Sequence, residues 1–252
     1  MTLTILGIDT TAGTSIAIVR GDEILAEVNI VDSMLHAESI GTSIAEALAL
    51  ANLKGSDIQA VVAGRGPAPF TGLRVGLAAA TVFAQAAGAK LFGAVSLDAL
   101  AWSALQYPSV AAAISPSTPL LITSDARRSE VYWALYNGLS EYGVPLRTDM
   151  PAVNKPAALE ELLTDRNVQA VNVGDILSQN AHEVADLDCA PIATALARVA
   201  QAHLREAAAR HDHADLADVT PLYLRAPDAV LPKPHARYGK AEYSKPVIGG
   251  AQ

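Results

Sequence analysis

The sequence feature that most restricts the fold is a run of thirteen residues rich in glycine and proline. It extends from Gly64 to Gly76 and reads GRGPAPFTGLRVG, between the apolar segment 60–63 and an alanine-rich stretch. Glycine permits a positive φ and proline fixes φ, so the run imposes a defined backbone path from a buried strand to a helix. The free N–H groups of that helix N-terminus can contact a phosphate or a partner carbonyl. A tight structural turn would need the same glycines, so this feature alone leaves both interpretations open.

Hydrophobic patterning along the rest of the chain predicts a mixed α/β fold. The segments predicted as strands are 3–9, 15–20, 23–30, 60–63, 91–95, 120–124, 131–136 and 168–173. The predicted helices are 35–52, 72–88, 157–163 and 192–210, and Ser96 is the predicted N-cap of a further helix. The order β-β-β-α-β-α-β-α in the first half is that of a mixed sheet with helices packed on it.

Length and composition predict two lobes and a tail. The 252 residues and 51% hydrophobic content suffice for a large buried core. We predict a first lobe over residues 1–106, joined by helix 192–210, and a second, smaller lobe over residues 120–226. The Pro/Ser-rich segment 107–119 is the predicted linker, and residues 227–252 form a predicted flexible tail.

Charge and cysteine content restrict the function classes. A net charge of −8 argues against a protein that grips nucleic acid by itself. The single cysteine, Cys189, excludes an intrachain disulfide and is typical of a reducing compartment. No targeting segment precedes the first strand, and the uncharged stretches 75–89 and 99–124 are too short or are broken by prolines. We therefore expect a cytoplasmic protein without membrane association.

The complete run 64–76 resembles the signature GRGPGSFTGLR of the TsaB (YeaZ) family, with Ala68 and Pro69 in place of glycine and serine. Further matches occur in the family's order at residues 5–11, 36–38, 95–100, 125–132 and 221–225. The resemblance covers about residues 3–226. It implies the two-lobed, ribonuclease H-like fold of the actin, Hsp70 and sugar-kinase superfamily, with mixed β-sheets flanked by helices. It also implies a dimerisation subunit of the bacterial machinery that makes N6-threonylcarbamoyladenosine in tRNA.

The same resemblance implies that the chain has no catalytic residues and no metal site. The catalytic sister family, TsaD, carries His-x-x-x-His after the strand equivalent to 91–95, where the two imidazoles can share a cation. Residues 96–101, SLDALA, contain no histidine. Asp9 stands where the superfamily keeps a metal- or phosphate-facing aspartate, but Thr10 and Thr11 hinder the approach of a phosphate. We expect no cofactor on the chain alone, with ATP or ADP only at the interface of an assembled complex.

Two helices carry the predicted partner surface. Small residues recur at four-residue intervals from Gly72 to Gly88, which leaves a groove for a partner helix or, alternatively, for internal packing against the sheet. The family uses these helices to build a four-helix bundle with TsaD, or with a second copy when alone. The predicted interface residues are His36, Ile40, Ile44, Leu48, Leu73, Gly76, Leu77, Ala80 and Thr81.

The signature loop and the end of the first strand are predicted to contact a nucleotide or a partner. The residues of this set are Asp9, Thr10, Arg65, Gly66, Phe70, Thr71, Gly72 and Arg74. The resemblance implies that the ATPase subunit TsaE joins near Gly66–Arg74, and that tRNA is contacted indirectly, through the complex. Two further groups of side chains are either functional or simply solvated. The first could hold a metal and consists of His211, Asp212, His213 and Asp215. The second could contact tRNA phosphate and consists of the tail residues Lys233, His235, Arg237, Lys240 and Lys245.

The resemblance thus implies a non-catalytic partner subunit in threonylcarbamoyl transfer to N6 of adenosine 37 of ANN-decoding tRNA. Two other functions stay open: a small-molecule kinase or ATPase of the same superfamily, and a metal-dependent peptidase. Nucleotide affinity of the isolated protein would favour the first, and a stoichiometric metal would favour the second.

Overall fold

The computed structural model describes residues 2–30, 36–115, 117–166, 168, 170–173, 181–183, 192–211, 216 and 218–225. Its first sheet has the order β3-β2-β1-β4-β5. The strands are β1 (Thr4–Asp9), β2 (Thr14–Arg20), β3 (Glu23–Ile30), β4 (Ala60–Gly64) and β5 (Lys90–Ala94). β2 runs antiparallel to β1 and β3, whereas β1, β4 and β5 are parallel, so the carboxyl ends of β1, β4 and β5 meet at one edge.

The second sheet has the order β11-β10-β6-β7-β8, and β9 also pairs with β7. Its strands are β6 (Leu120–Asp125), β7 (Val131–Leu139), β8 (Pro145–Arg147), β9 (Ala152–Asn154), β10 (Ala170–Val173) and β11 (Ala181–Glu183). β6 and β7 form an antiparallel hairpin, and β10 runs parallel to β6. The turn of that hairpin lies at residues 125–131 and becomes part of the candidate site.

The described helices are α1 (His36–Leu50), α2 (Phe70–Ala87), α3 (Ser96–Leu105), α4 (Pro108–Ala113), α5 (Pro156–Asp165) and α6 (Ile192–Arg210). α1 and α2 cover one face of the first sheet and α6 covers the other, whereas α5 packs on the second sheet. Because successive strand residues point to opposite faces, Leu6 and Ile8 of β1 pack under α1 and α2, whereas Ile5 packs against α6. α3 contacts α6 on one side and β6 and β7 on the other. It therefore joins the two sheets.

The structure confirms the predicted order of strands and helices in the first half, and α6 has the predicted bounds. The segment 107–119, predicted as a linker, contains α4, which begins with Pro108 at its first position. β8, β9 and β11 were not predicted, because three residues are too few for a periodic pattern. The predicted limits of the lobes stay predictions.

Helix α2 is apolar over its 18 residues. By length and hydropathy alone it could cross a membrane, a test that core helices of globular proteins also pass. Its inner face packs against β1 and β4, and Leu73 and Ala80 on that face are fully buried. The composition of α2 therefore fits a helix that covers a sheet.

Candidate functional site

The carboxyl end of β1 is a buried polar junction centred on Asp9, which is 1% exposed. The Ser96 hydroxyl donates to Oδ2 of Asp9 at 2.7 Å. Thr11 donates to Oδ1 through its backbone N–H at 2.8 Å and through its hydroxyl at 2.5 Å. Asp9 thus ties β1 to the following turn and to the first residue of α3. The prediction of Ser96 as an N-cap is wrong: Val95 occupies that position, and the Ser96 hydroxyl is bound to Asp9.

This junction does not fit the metal-bound nucleotide that the superfamily implies. Both carboxylate oxygens of Asp9 accept hydrogen bonds from the chain itself. The carboxylate also lies directly on β4, where a Cβ on Gly64 would come within 1.9 Å of Oδ2. The carboxylate of Asp9 is thus packed against β4 and bound to the chain's own turn and helix.

No group of three or more His, Cys, Asp or Glu side chains is placed to hold a metal among the residues that the structure describes. His211 lies directly after α6 and is exposed. The other members of its predicted set (Asp212, His213 and Asp215), Cys189 and the basic tail lie outside the described residues. Metal binding by that set therefore stays untested.

The small-residue stripe of α2 faces inward, toward Thr10. The Thr10 hydroxyl donates to the carbonyl of Gly72 at 2.7 Å in a buried position. A Cβ on Gly76 would lie 2.3 Å from Oγ1 of Thr10, so glycine is needed there for a close approach within the chain. The prediction that Gly72 and Gly76 open a groove for a partner helix is wrong, and the alternative of internal packing is correct.

The predicted apolar interface residues also belong to the core of the first lobe. Ile40 and Ile44 are each 7% exposed, and Leu77 is 8% exposed. Leu73, Gly76 and Ala80 are buried as well, and Leu48 is half-buried. The prediction that Ile40, Ile44, Leu73, Leu77 and Ala80 form a partner surface is therefore wrong, because their side chains cover β1, β2 and β4 in one hydrophobic cluster. Thr81 is exposed, and its place in a partner interface stays a prediction; the His36 side chain lies outside the described residues.

The opposite side of the two helices is exposed and is here called the outer helix face. Its members are Gly41, Thr42, Ala45, Ala49 and Leu50 of α1, and Ala78, Thr81, Val82, Gln85 and Ala86 of α2. Val82 is 67% exposed and Leu50 is 61% exposed. Glu46, exposed one turn from Thr42 and Leu50, and Arg74, exposed one turn before Ala78, lie on the same side, so the face carries two charges among small and apolar residues. The exposed charges of α1 and α2 in the described part of the chain are Glu46 and Arg74.

The signature loop is held by a C-terminal segment of the chain. The Leu222 N–H donates to the carbonyl of Arg65 at 2.7 Å. The Arg65 guanidinium donates to the carbonyl of Asp218 at 3.2 Å and forms an ion pair with its carboxylate. The Thr220 hydroxyl and Arg65 hold the pKa of the Asp218 carboxyl well below its usual range. Gly66, at a φ of +94°, carries the backbone through the turn between these contacts.

A cluster of two rings and a guanidinium lies at the N-terminus of α2. The rings of Phe70 and Tyr223 are 4.7 Å apart between centroids and tilted by 34°. The Arg74 Nε donates to the Tyr223 hydroxyl at 2.8 Å, and its Cζ lies 5.8 Å and 5.6 Å from the two ring centroids. Arg74 and Thr71 are exposed. The sequence pattern marked Phe70 and Arg74, but it gave Tyr223 no role beyond membership of the 221–225 match.

The turn between β6 and β7 has an unusual backbone. Arg127, Arg128 and Ser129 have φ values of 62°, 58° and 57°, three consecutive non-glycine residues in the left-handed region. This conformation costs roughly 1–2 kcal/mol per residue. The Arg225 guanidinium donates to the carbonyls of Ala126 at 2.9 Å and of Arg127 at 3.4 Å. It also pairs with Glu130, so Arg225 stabilises a turn that is costly on its own.

A buried network of hydrogen bonds joins α3 to β7 and β8. Arg147 donates to the two carboxylate oxygens of Asp98 at 2.6 Å and 2.8 Å, and the Tyr136 hydroxyl donates to Oδ1 at 2.8 Å. Burial raises the pKa of Asp98, while Arg147 and Tyr136 oppose that shift. Burial and the Asp98 carboxylate raise the pKa of Tyr136 well above its ordinary value. Sequence patterns gave no signal for this network, because its members are far apart along the chain.

Comparisons with known proteins agree with this architecture. The family model described as "TsaD: tRNA N6-adenosine threonylcarbamoyltransferase" matches residues 23–163, more than half of the chain. An uncharacterized protein of Mycobacterium tuberculosis (strain ATCC 25618 / H37Rv) is 39% identical over 161 residues, which are 62% of this chain and 67% of that protein. The tRNA threonylcarbamoyladenosine biosynthesis protein TsaB of Escherichia coli (strain K12) is 31% identical over 139 residues, 55% of this chain and 57% of that protein.

Solved structures extend the agreement to the fold. YeaZ from Pseudomonas aeruginosa superposes with a TM-score of 0.64 over 88% of this chain and 100% of that chain, at 24% sequence identity. At this identity the likeness concerns the fold, and it confirms the predicted two-lobed α/β class. The family-model match and the TsaB relatives together show that the chain belongs to the TsaB/YeaZ family.

Proposed function

We propose that the chain is the non-catalytic partner subunit in threonylcarbamoyl transfer to N6 of adenosine 37 of ANN-decoding tRNA. Relatives that carry the name tRNA threonylcarbamoyladenosine biosynthesis protein TsaB support a role in that modification. In this proposal a metal-bearing, TsaD-like subunit performs the transfer. The chain forms a heterodimer with it and keeps it in an active arrangement.

The observation that carries the proposal is the outer helix face. A solvent-facing helix of a globular protein usually carries charged residues, whereas α2 has none from residue 75 to residue 87. The two helices lie side by side, and their exposed residues are mostly alanine, glycine, threonine and valine. Small uncharged side chains let a second pair of helices approach closely. A TsaD-like subunit, or a second copy of the chain when alone, fits this surface.

The Asp9 junction supports a role without catalysis by the chain itself. Both oxygens of its carboxylate accept hydrogen bonds from Ser96 and Thr11, so Asp9 ties together elements of the chain itself. We propose that the chain holds no cofactor of its own and that ATP or ADP binds at the interface of the assembled complex. The kinase, ATPase and peptidase alternatives are separated from this proposal by the binding measurements given below.

The Phe70–Arg74–Tyr223 cluster is the proposed contact for a TsaE-like ATPase subunit. Arg74 is exposed and offers guanidinium donors beyond the one bound to Tyr223. Because the chain carries a net charge of −8, we propose that other subunits supply most of the phosphate contacts to tRNA. A cytoplasmic location follows from this role as part of the same proposal.

Charged substitutions on the outer helix face test the proposal. Val82→Glu and Ala45→Glu place carboxylates on exposed positions, so the chain should fold normally. An unpaired charge buried in an interface costs about 3–5 kcal/mol, which weakens binding by more than about 100-fold. We expect loss of co-purification with the TsaD-like subunit and loss of the tRNA modification.

The matched control is Ile24→Glu, an apolar residue of β3 that is 48% exposed and lies outside α1 and α2. This variant should pair and support modification like the unchanged chain. The proposal fails if folded Val82→Glu and Ala45→Glu chains still bind the TsaD-like subunit at unchanged affinity. Micromolar ATP binding by the isolated chain would favour a kinase or ATPase, and a stoichiometric metal would favour a peptidase.

A further inference from the structure

We propose that residues 218–225, here called the strap, couple the signature loop of the first lobe to the 125–130 turn of the second lobe. The two ends of the strap contact different sheets, and its middle packs on the helix between them. The strap makes the loop and the turn one mechanical unit. This inference concerns the chain alone and does not depend on the proposed function.

The first end of the strap lies directly on β5 and on the signature loop. A Cβ on Gly93 would come within 2.3 Å of the Asp218 carbonyl oxygen, so β5 and the strap are in close backbone contact. Arg65 binds the strap twice, through its carbonyl to the Leu222 N–H and through its guanidinium to Asp218. This end of the strap therefore moves with the first sheet.

The middle of the strap packs on both lobes. Leu222 and Leu224 contact the hydrophobic cluster formed by α3, β6 and β7. Tyr223 points to the other lobe, where it stacks on Phe70 and accepts a hydrogen bond from Arg74. Leu222 and Leu224 thus contact one lobe and Tyr223 the other, which lets one short stretch bind two bodies.

The second end of the strap holds the left-handed turn. Two backbone hydrogen bonds close the turn, from the Ala126 N–H to the Glu130 carbonyl at 3.0 Å and from the Glu130 N–H to the Arg127 carbonyl at 3.1 Å. The Arg225 guanidinium donates hydrogen bonds to the carbonyls of Ala126 and Arg127, and it forms an ion pair with Glu130. A strained backbone persists only where its surroundings over-determine it, and Arg225 supplies contacts from outside the turn.

The coupling has a consequence for the cleft between the lobes. A cleft of about 200 Å³ is bounded by residues 67–69 on one side and by Asp125 and Arg127 on the other. The strap connects both walls, so a perturbation at the Phe70–Arg74–Tyr223 cluster should reach the turn. Thermodynamic linkage requires the reverse effect to have the same size.

Amide hydrogen exchange of the full chain tests the strap. Arg225→Ala should accelerate exchange at Ala126 and Glu130, and also at Leu222, by about ten-fold or more, since charge-assisted hydrogen bonds are lost. Arg65→Ala acts at the opposite end and should accelerate the same three amides. The control is Arg166→Ala, which removes an exposed ion pair with Asp149 and should leave them unchanged.

The proposal is overturned if Arg225→Ala changes the turn while Leu222 keeps its protection, or if Arg65→Ala leaves Ala126 and Glu130 unaffected. Either result would show two independent contacts. If Arg225→Ala does not fold, Arg225→Lys replaces it. Lysine keeps the charge beside Glu130 but lacks the forked donors for two carbonyls, so exchange at all three amides should still rise, and unchanged exchange would refute the coupling.

Discussion

Replacing Gly76 by alanine separates internal packing from a partner groove. In the structure the new Cβ would lie 2.3 Å from Oγ1 of Thr10 and 3.2 Å from its Cγ2. Thr10 is buried and its hydroxyl is bound to the carbonyl of Gly72, so the side chain has little freedom to move away. We expect Gly76→Ala to destabilise the isolated chain.

The magnitude follows from two contributions that lower the free energy of unfolding and one that raises it. Overpacking of a filled core costs about 1–3 kcal/mol. Rotating Thr10 away from Gly72 would leave a buried hydroxyl unsatisfied, at a further cost of about 1–3 kcal/mol. The higher helix propensity of alanine returns about 1 kcal/mol. The net loss is about 3 kcal/mol, which lowers Tm by about 6–12 °C for a chain of this size.

The assay is urea and thermal unfolding of the isolated chain, with Gly41→Ala as the matched control. Gly41 also lies within a helix, but a Cβ there would meet nothing within 4 Å, so this variant should gain up to about 1 kcal/mol. In a Thr10→Ala background the cost of Gly76→Ala should fall by more than about 1 kcal/mol, because the colliding oxygen is gone.

A stabilised Gly76→Ala chain would refute the reasoning. It would mean that the Thr10 side chain moves aside without a free-energy cost, and that packing against Thr10 does not require glycine at residue 76. If Gly76→Ala kept full stability but bound its partner more weakly, that result would support the hypothesis that the stripe is a groove for a partner helix.

Two further predictions concern the buried polar groups. Ser96→Ala removes the donor to Oδ2 of the buried Asp9 carboxylate, and should lower the free energy of unfolding in urea by about 1.5–3 kcal/mol; an unchanged midpoint would contradict a structural role for that bond. Tyr136 has a pKa raised by burial and by Asp98, so the folded chain keeps a proton that the unfolded chain loses above about pH 10. Stability contributed by Tyr136 is therefore present below that pH and lost as the pH rises above it, and the difference in unfolding free energy between the unchanged chain and Tyr136→Phe should narrow there. If the difference in unfolding free energy between the two chains stayed constant above about pH 10, the raised pKa of Tyr136 would be refuted.

Local patterns predicted the elements well and the orientation of two helices poorly. The bounds of α6 and the order of the first five strands follow from periodicity, which depends on neighbouring residues. The same periodicity correctly grouped Ile40 and Ile44 on one face of α1. It could not tell whether that face meets the sheet or a partner, because both surroundings select the same apolar side chains. The structure assigns the face to the sheet.

The candidate site shows the same division. The signature loop was recognisable from Arg65, Phe70 and Arg74, since their spacing within one short run resembles a family pattern. Their contacts, Asp218 and Tyr223, lie about 150 residues away along the chain. No short-range signal relates residues at that separation, so these pairs required the folded chain.

By itself, the amino-acid sequence determined the fold class, the family resemblance and the position of the glycine-rich loop, because glycine, proline and apolar spacing act over a few residues. Only the tertiary structure decided which side of α1 and α2 meets solvent, that Asp9 is bound by Ser96 and Thr11, and that residues 218–225 bridge the lobes. These properties depend on which distant surfaces come into contact. Burial and hydrogen bonding are relations between such surfaces, and a linear pattern does not contain them.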